Sequence, residues 1–133
     1  MKPEKRKCER FVIPGATLNY KKKRLLFNKE TDDEEICPVL NMSLGGLSFL
    51  SQKSIDPGSA VTIKLFLPDK EEKPIVIRGK VNRSSLSFGK SYRFMHGVFF
   101  APYGEKKNHN EVSLLEKLKT LEETFKSKTQ HEQ

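Results

Sequence analysis

The feature that most constrains this chain is a pair of alternating segments joined by a polar turn with proline at each end. In residues 60–67, A-V-T-I-K-L-F-L, the apolar Val61, Ile63 and Leu65 alternate with Thr62, Lys64 and an outward or edge-facing Phe66. From Ile75 to Val81, Ile75, Ile77, Gly79 and Val81 share one side, and Val76, Arg78 and Lys80 the other. Successive side chains of an extended chain point to opposite faces, so each segment reads as a strand with one buried face. Between them, Pro68-Asp69-Lys70-Glu71-Glu72-Lys73-Pro74 is a turn, and the pair reads as a hairpin.

Four more segments have strand character: Leu47 to Leu50, Tyr92 to Phe100, a less regular stretch from about Thr17 to Phe27, and a short one from Ile36 to Leu40. Turn formers separate them at Gly45-Gly46, Asp56-Pro57-Gly58 and Ser84 to Lys90. The runs Lys21-Lys22-Lys23-Arg24 and Asp32-Asp33-Glu34-Glu35 read as the charged flanks of a further hairpin. About six short strands at this spacing predict a small antiparallel barrel, because closure removes the edges a flat sheet leaves exposed. A length of 133 residues fits one domain. Leu, Ile, Val and Phe make up 27% of the chain, above the roughly 20% below which a charged chain stays unfolded.

After Gly104 the period changes. Leu114, Leu118, Leu121 and Phe125 recur at helical spacing, which predicts a C-terminal α-helix packed on its own barrel. Asn110 is a candidate cap, and Ser113 with Glu116 is a capping-box pattern one turn later. The expected organisation is a flexible basic arm over residues 1–10, barrel and helix over 11–127, and a frayed tail over 128–133.

The formal charge of +8 is unevenly placed: residues 1–30 carry a net +7 and the remainder only +1. Such a field favours an anionic partner, whether nucleic acid, acidic lipid or a phosphorylated small molecule. Phe11, Val12 and Ile13 are stopped by Pro14, too short a run for a signal peptide, and no stretch approaches the length of a membrane span. Cys8 and Cys37 form no paired spacing for a disulfide framework or a zinc site. These features point to a protein of the reducing cytoplasm without membrane insertion.

Two local patterns carry chemistry. In Arg6-Lys7-Cys8-Glu9-Arg10, two arginines four apart in an extended arm face one side. Their planar forks match phosphate oxygens and the O6 and N7 edge of guanine. In Asn41-Met42-Ser43-Leu44-Gly45-Gly46, Asn41 and Ser43 project from one face at a strand end. The Asn41 amide oxygen can accept from guanine N1 and N2, and the Ser43 hydroxyl can donate to phosphate. Gly45 and Gly46 permit positive φ and a close backbone approach to a ligand. Taken singly, the first pattern is common in so basic a chain, and the second equals an ordinary capped turn.

In this order, and ahead of this strand pattern, the two resemble the signature of the PilZ domain family, RxxxR followed some thirty residues later by [D/N]xSxxG. The resemblance covers roughly residues 5–127 and includes Gly97-Val98-Phe99-Phe100, similar to the ending of the family's last barrel strand. It implies a six-stranded antiparallel β-barrel with a C-terminal α-helix that binds the bacterial second messenger cyclic di-GMP without catalysis. By that resemblance Arg6 and Arg10 clamp phosphate and guanine, Asn41 takes a guanine edge, Ser43 a phosphate, and Gly46 serves the turn. Lys5, immediately before the first motif arginine, is placed to face a second, stacked nucleotide. Asn41 stands where many members carry Asp, which removes charge assistance from the guanine contact.

Catalysis finds little support. Ser43 has no neighbouring base to activate it, His96 reads as a barrel histidine with its hydrogen bonds satisfied, and no phosphate loop or metal cluster is present. No cofactor is expected. The rival readings are a small-barrel binder of single-stranded nucleic acid and a PilZ-like module that docks a protein without binding nucleotide. The motif begins close to Met1 and the helix ends near the C-terminus, so the expectation is a stand-alone receptor that signals to a separate protein.

Overall fold

The computed structural model describes residues 9–24, 29–68, 73–89 and 91–131, with backbone alone for 23–24, 29–34 and 127–131. Six strands precede one helix: β1 (Thr17–Arg24), β2 (Lys29–Met42), β3 (Gly46–Ser51), β4 (Ala60–Phe66), β5 (Ile75–Leu86), β6 (Phe94–Phe100) and α1 (Val112–His131). They close a barrel in the order β1-β2-β3-β6-β5-β4, every neighbouring pair antiparallel. β1 against β4 closes it, in register from Thr17↔Phe66 to Lys22↔Val61. The six-stranded barrel with its closing helix matches the architecture expected from the alternation and spacing.

The alternation does the sorting. Val61, Ile63 and Leu65 of β4 and Ile75, Ile77 and Val81 of β5 point inward and are buried, while Val76, Arg78 and Lys80 face out. They meet Phe11, Leu18, Met42, Leu47 and Phe49 in one core. Burying each such side chain stabilises the fold by about 1.5–3 kcal/mol. On α1, Leu118 is fully buried and Leu114 nearly so, with Leu121 and Phe125 packed half-buried against the same core.

Four details differ from the sequence reading. β2 starts at Lys29, well before Ile36, because residues 29–33 pair backbone to backbone with β1, in register from Arg24↔Lys29 to Tyr20↔Asp33. β5 continues past Val81 to Leu86, so Ser84 is a strand residue and not a turn. β6 begins at Phe94, leaving Tyr92 and Arg93 outside it.

Finally, Asn110 does not cap the helix. Its Oδ1 accepts from Arg78 N at 2.8 Å and its Nδ2 donates to Arg78 O and Ala101 O, each at 3.0 Å. A buried amide must find partners, and here the ends of β5 and β6 supply them, so Asn110 fastens the approach to α1 onto the barrel. Ser113 lies inside the helix, which begins at Val112, so it forms no capping box with Glu116.

Candidate ligand-binding site

The two sequence patterns meet at the end of β2. Phe11, fully buried, bridges to Met42 through Phe11 N to Met42 O at 2.8 Å and Met42 N to Phe11 O at 2.9 Å. That bridge sets Arg10 beside Asn41, and Arg10 Nη1 donates to Asn41 Oδ1 at 2.6 Å. A β-bulge between the pairs Val39↔Phe49 and Asn41↔Ser48 keeps Asn41 opposite Ser48. Bulges of this kind re-aim side chains beside functional sites. Ser48 Oγ donates to the same Asn41 oxygen at 3.1 Å. An amide oxygen has two lone pairs, and Arg10 and Ser48 occupy both. A guanine edge reaching that oxygen therefore has to displace one of the two donors.

Ser43 is buried, and its hydroxyl serves the turn. Ser43 N donates to Gly46 O at 2.8 Å, Ser43 Oγ donates to the same oxygen at 3.4 Å, and it accepts from Gly45 N at 3.1 Å. Positive φ, expected at Gly45 and Gly46, is absent from both: the described glycines with positive φ are Gly15 and Gly58. The close approach is real, but its partner is the barrel. A Cβ at Gly46 would lie 2.3 Å from Val98 O of β6, so only glycine lets β3 and β6 come together there. Tyr103 completes the clamp, its hydroxyl donating to Leu44 O at 2.7 Å, while Phe100 N donates to Gly45 O at 2.9 Å. Ser48 and Tyr103 had no signal in the sequence, since Ser48 meets Asn41 only through the β2–β3 register and Tyr103 reaches Leu44 from a loop 59 residues away. Arg6 and Lys5 lie outside the described residues.

On the other side of Arg10, Glu9 pairs with Lys126 of α1, and this hydrogen bond pushes the Lys126 ammonium pKa above its ordinary value. The peptide carrying Arg10 thus touches both β2 and the helix.

His96 belongs to the interior, away from this face. It is fully buried, its Nε2 2.9 Å from Ser51 Oγ and 3.1 Å from Lys53 O, and its Nδ1 2.8 Å from Ser84 Oγ. A carbonyl only accepts, so Nε2 carries the proton, and the one proton of Ser84 Oγ serves both Nδ1 and Ile55 O. Burial pushes the His96 pKa below its ordinary value, with the Lys53 carbonyl and Glu35 opposing in part. Among the described residues no group of three His, Cys, Asp or Glu could hold a metal ion. No helix among them is long and apolar enough to cross a membrane.

The chain is similar to known proteins in sequence and in fold. The profile of the PilZ domain matches residues 4–109. No curated protein matches the chain. Among solved structures, the Bacillus subtilis inhibitor of motility (MotI/DgrA) shares 16% identity at a TM-score of 0.56, over 90% of this chain and 49% of that one. The K. pneumonia MrkH–c-di-GMP complex shares 11% identity at a TM-score of 0.54, over 96% of this chain and 56% of that one. The chain therefore spans about half the length of each, and at these identities the likeness is one of fold. PilZ domains are non-catalytic receptors, typically of cyclic di-GMP. With the family profile covering most of its length and the family's barrel and helix in place, this chain belongs to the PilZ domain family.

Proposed function

We propose that this protein is a receptor for cyclic di-GMP in the bacterial cytoplasm, binding it on the barrel face around Arg10 and Asn41 and passing the signal to a separate protein. The observation that carries this reading is the 2.6 Å bond between Arg10 and Asn41, residues 31 apart in sequence and one from each motif. In this reading the bond joins a cation whose planar fork suits phosphate to an amide oxygen that suits the N1 and N2 donors of guanine. Arg6 and Lys5 bring further positive charge from the same arm, and Ser43 and Gly46 shape the turn beneath it. Asn41 Oδ1 accepts from the Arg10 guanidinium. The ligand takes that guanidinium over, freeing the amide oxygen for a guanine.

The signal leaves through the same peptide. Arg10 sits between Phe11, buried and bridged to β2, and Glu9, paired with Lys126 on α1. A ligand of two negative charges relieves the repulsion among Lys5, Arg6, Lys7 and Arg10, so binding orders the arm across the barrel face and alters the surface offered to a partner. Amide exchange of residues 2–10 is expected to slow on adding cyclic di-GMP, and equal exchange with and without ligand refutes this route of transmission.

A single-stranded nucleic-acid track fits less well. Such binders stack bases on exposed aromatics, and here Phe11, Tyr20 and Phe49 are in the core. Among the described residues the large aromatics exposed are Phe88, in the loop after β5, and Phe99, on β6. Binding of cyclic di-GMP that survives a tenfold excess of unrelated oligonucleotide separates the two readings.

A further inference from the structure

The direction of each strand decides which loops share an end of the barrel. β5 leaves the helix side at Ile75, which lines one groove with Leu121 and Phe125 of α1, and it ends at Leu86 on the far side. The loop joining it to β6 therefore projects from the end of the barrel opposite α1. Ser87 N donates to Arg93 O at 2.8 Å and closes this loop, and Gly89 N donates to Ser87 Oγ at 3.2 Å inside it. Two large apolar side chains stand in solvent at the tip: Leu86 is 67% exposed and Phe88 98%. One exposed apolar residue is ordinary, but two at a single projecting apex mark a surface that is covered in use.

The hairpin behind the tip carries one sign of charge. Residues 73–104 contain six Lys and Arg and no Asp or Glu. Of these, Arg83 and Arg93 are exposed and flank the tip, one on β5 and one just before β6. β1 and β3 run parallel to β5, so the β1–β2 and β3–β4 connections open at the same end. In the first, Lys21 to Arg24 precede Leu25-Leu26-Phe27, which lie outside the described residues, and Glu30 and Asp32 stand opposite Lys23 and Lys21. The second adds Lys53 and Asp56, one of each sign.

We infer that the β5–β6 tip, with Leu86 and Phe88 at its apex and Arg83 and Arg93 behind them, docks this protein on the surface of an anionic phospholipid bilayer. The contact is peripheral and not a span. Size and shape favour lipid over protein. The two side chains offer roughly 300 Å² of apolar surface, well short of the ~800 Å² that each partner of a stable protein pair buries. A protruding tip also needs a matching pocket in a protein, whereas a bilayer takes the apolar apex into the acyl boundary and leaves the cations among its phosphates. The inference does not depend on the receptor reading. It turns α1, with its Glu9–Lys126 pair, away from the bilayer.

Co-sedimentation of the full chain with vesicles of phosphatidylcholine alone, and of phosphatidylcholine mixed with phosphatidylglycerol, tests this for wild type, Phe88→Ser, Arg93→Ser and Val76→Ser. All three residues are exposed, so their substitution leaves the fold intact, and unchanged thermal melting verifies it. Wild type is expected to sediment with the mixed vesicles far more than with the neutral ones. Phe88→Ser is expected to weaken that binding by roughly 10- to 100-fold, and Arg93→Ser by roughly 5-fold on the mixed vesicles alone. Val76→Ser, at the α1 end of β5, should sediment as wild type does. Wild type that is indifferent to phosphatidylglycerol, or Phe88→Ser that sediments equally well, overturns the inference. A soluble protein retained by wild type and not by Phe88→Ser, in the absence of vesicle binding, gives the tip to a protein partner and overturns the lipid assignment.

Discussion

Replacing Gly46 by alanine asks whether the motif's glycine serves the ligand or the barrel. The added Cβ would lie 2.3 Å from Val98 O and 3.4 Å from the Val98 carbonyl carbon. Both are backbone atoms of β6 and cannot swing aside, so β3 and β6 must part by about 1 Å to regain ordinary contact. Overpacking of this kind costs about 1–3 kcal/mol. The parting also strains the bonds Ser43 N to Gly46 O and Phe100 N to Gly45 O, each worth about 0.5–1.5 kcal/mol. The sum is about 2–6 kcal/mol, which for a domain of this size lowers Tm by roughly 8–24 °C. Thermal melting followed by circular dichroism reads this directly. Gly89→Ala is the control, since its Cβ would meet nothing nearer than Ser87 Oγ at 3.6 Å, and it should stay within about 0.5 kcal/mol of wild type. A Gly46→Ala protein with wild-type Tm that has nonetheless lost cyclic di-GMP binding would refute the reasoning and give the glycine to the ligand.

Two further outcomes follow from groups outside the motifs. Asn110→Ala removes three hydrogen bonds, taking the amide from Arg78 N and Ala101 O and leaving Arg78 O with Ala101 N alone. It is expected to cost about 2–4 kcal/mol in urea unfolding, and a loss under about 0.5 kcal/mol contradicts the role given to it. His96 makes stability fall in acid: with its folded pKa below the ordinary 6.5, the unfolded chain binds the proton first, so its contribution is complete above about pH 6.5 and declines as pH drops from there toward the folded value. Tm of wild type should therefore fall more between pH 7 and pH 5 than that of His96→Gln, and parallel curves would exclude the histidine as the cause.

How much of this was legible in the sequence depends on where each residue's partner lies. The β4–β5 hairpin and the stripe Leu114, Leu118, Leu121, Phe125 were readable because a buried face imposes its period on the residues themselves. The early part of β2 was not, because it is held by pairing with the charged β1 and carries no apolar pattern. Ser84 has the composition of a turn, yet its hydroxyl is used inside the barrel by His96. Asn110 has the composition of a cap and acts as a staple, for the same reason: a polar side chain says that it needs a partner and not which one. At the site, Arg10 and Asn41 were readable as motif members. That Asn41 is already engaged by Arg10 and Ser48, and that Gly46 is required by Val98, are facts of packing between strands.

The central claim is that the Arg10–Asn41 pair is the grip on cyclic di-GMP, and isothermal titration of wild type and Arg10→Ala at matched Tm tests it most directly. Wild type should bind at tens of micromolar or tighter, about −6 kcal/mol or better, and prefer cyclic di-GMP to linear GMP and cyclic di-AMP. Arg10→Ala should bind roughly 10- to 150-fold more weakly, the loss of one charge-assisted hydrogen bond of about 1.5–3 kcal/mol. A wild-type protein that does not bind at that level, or an Arg10→Ala protein that binds equally well, contradicts the account.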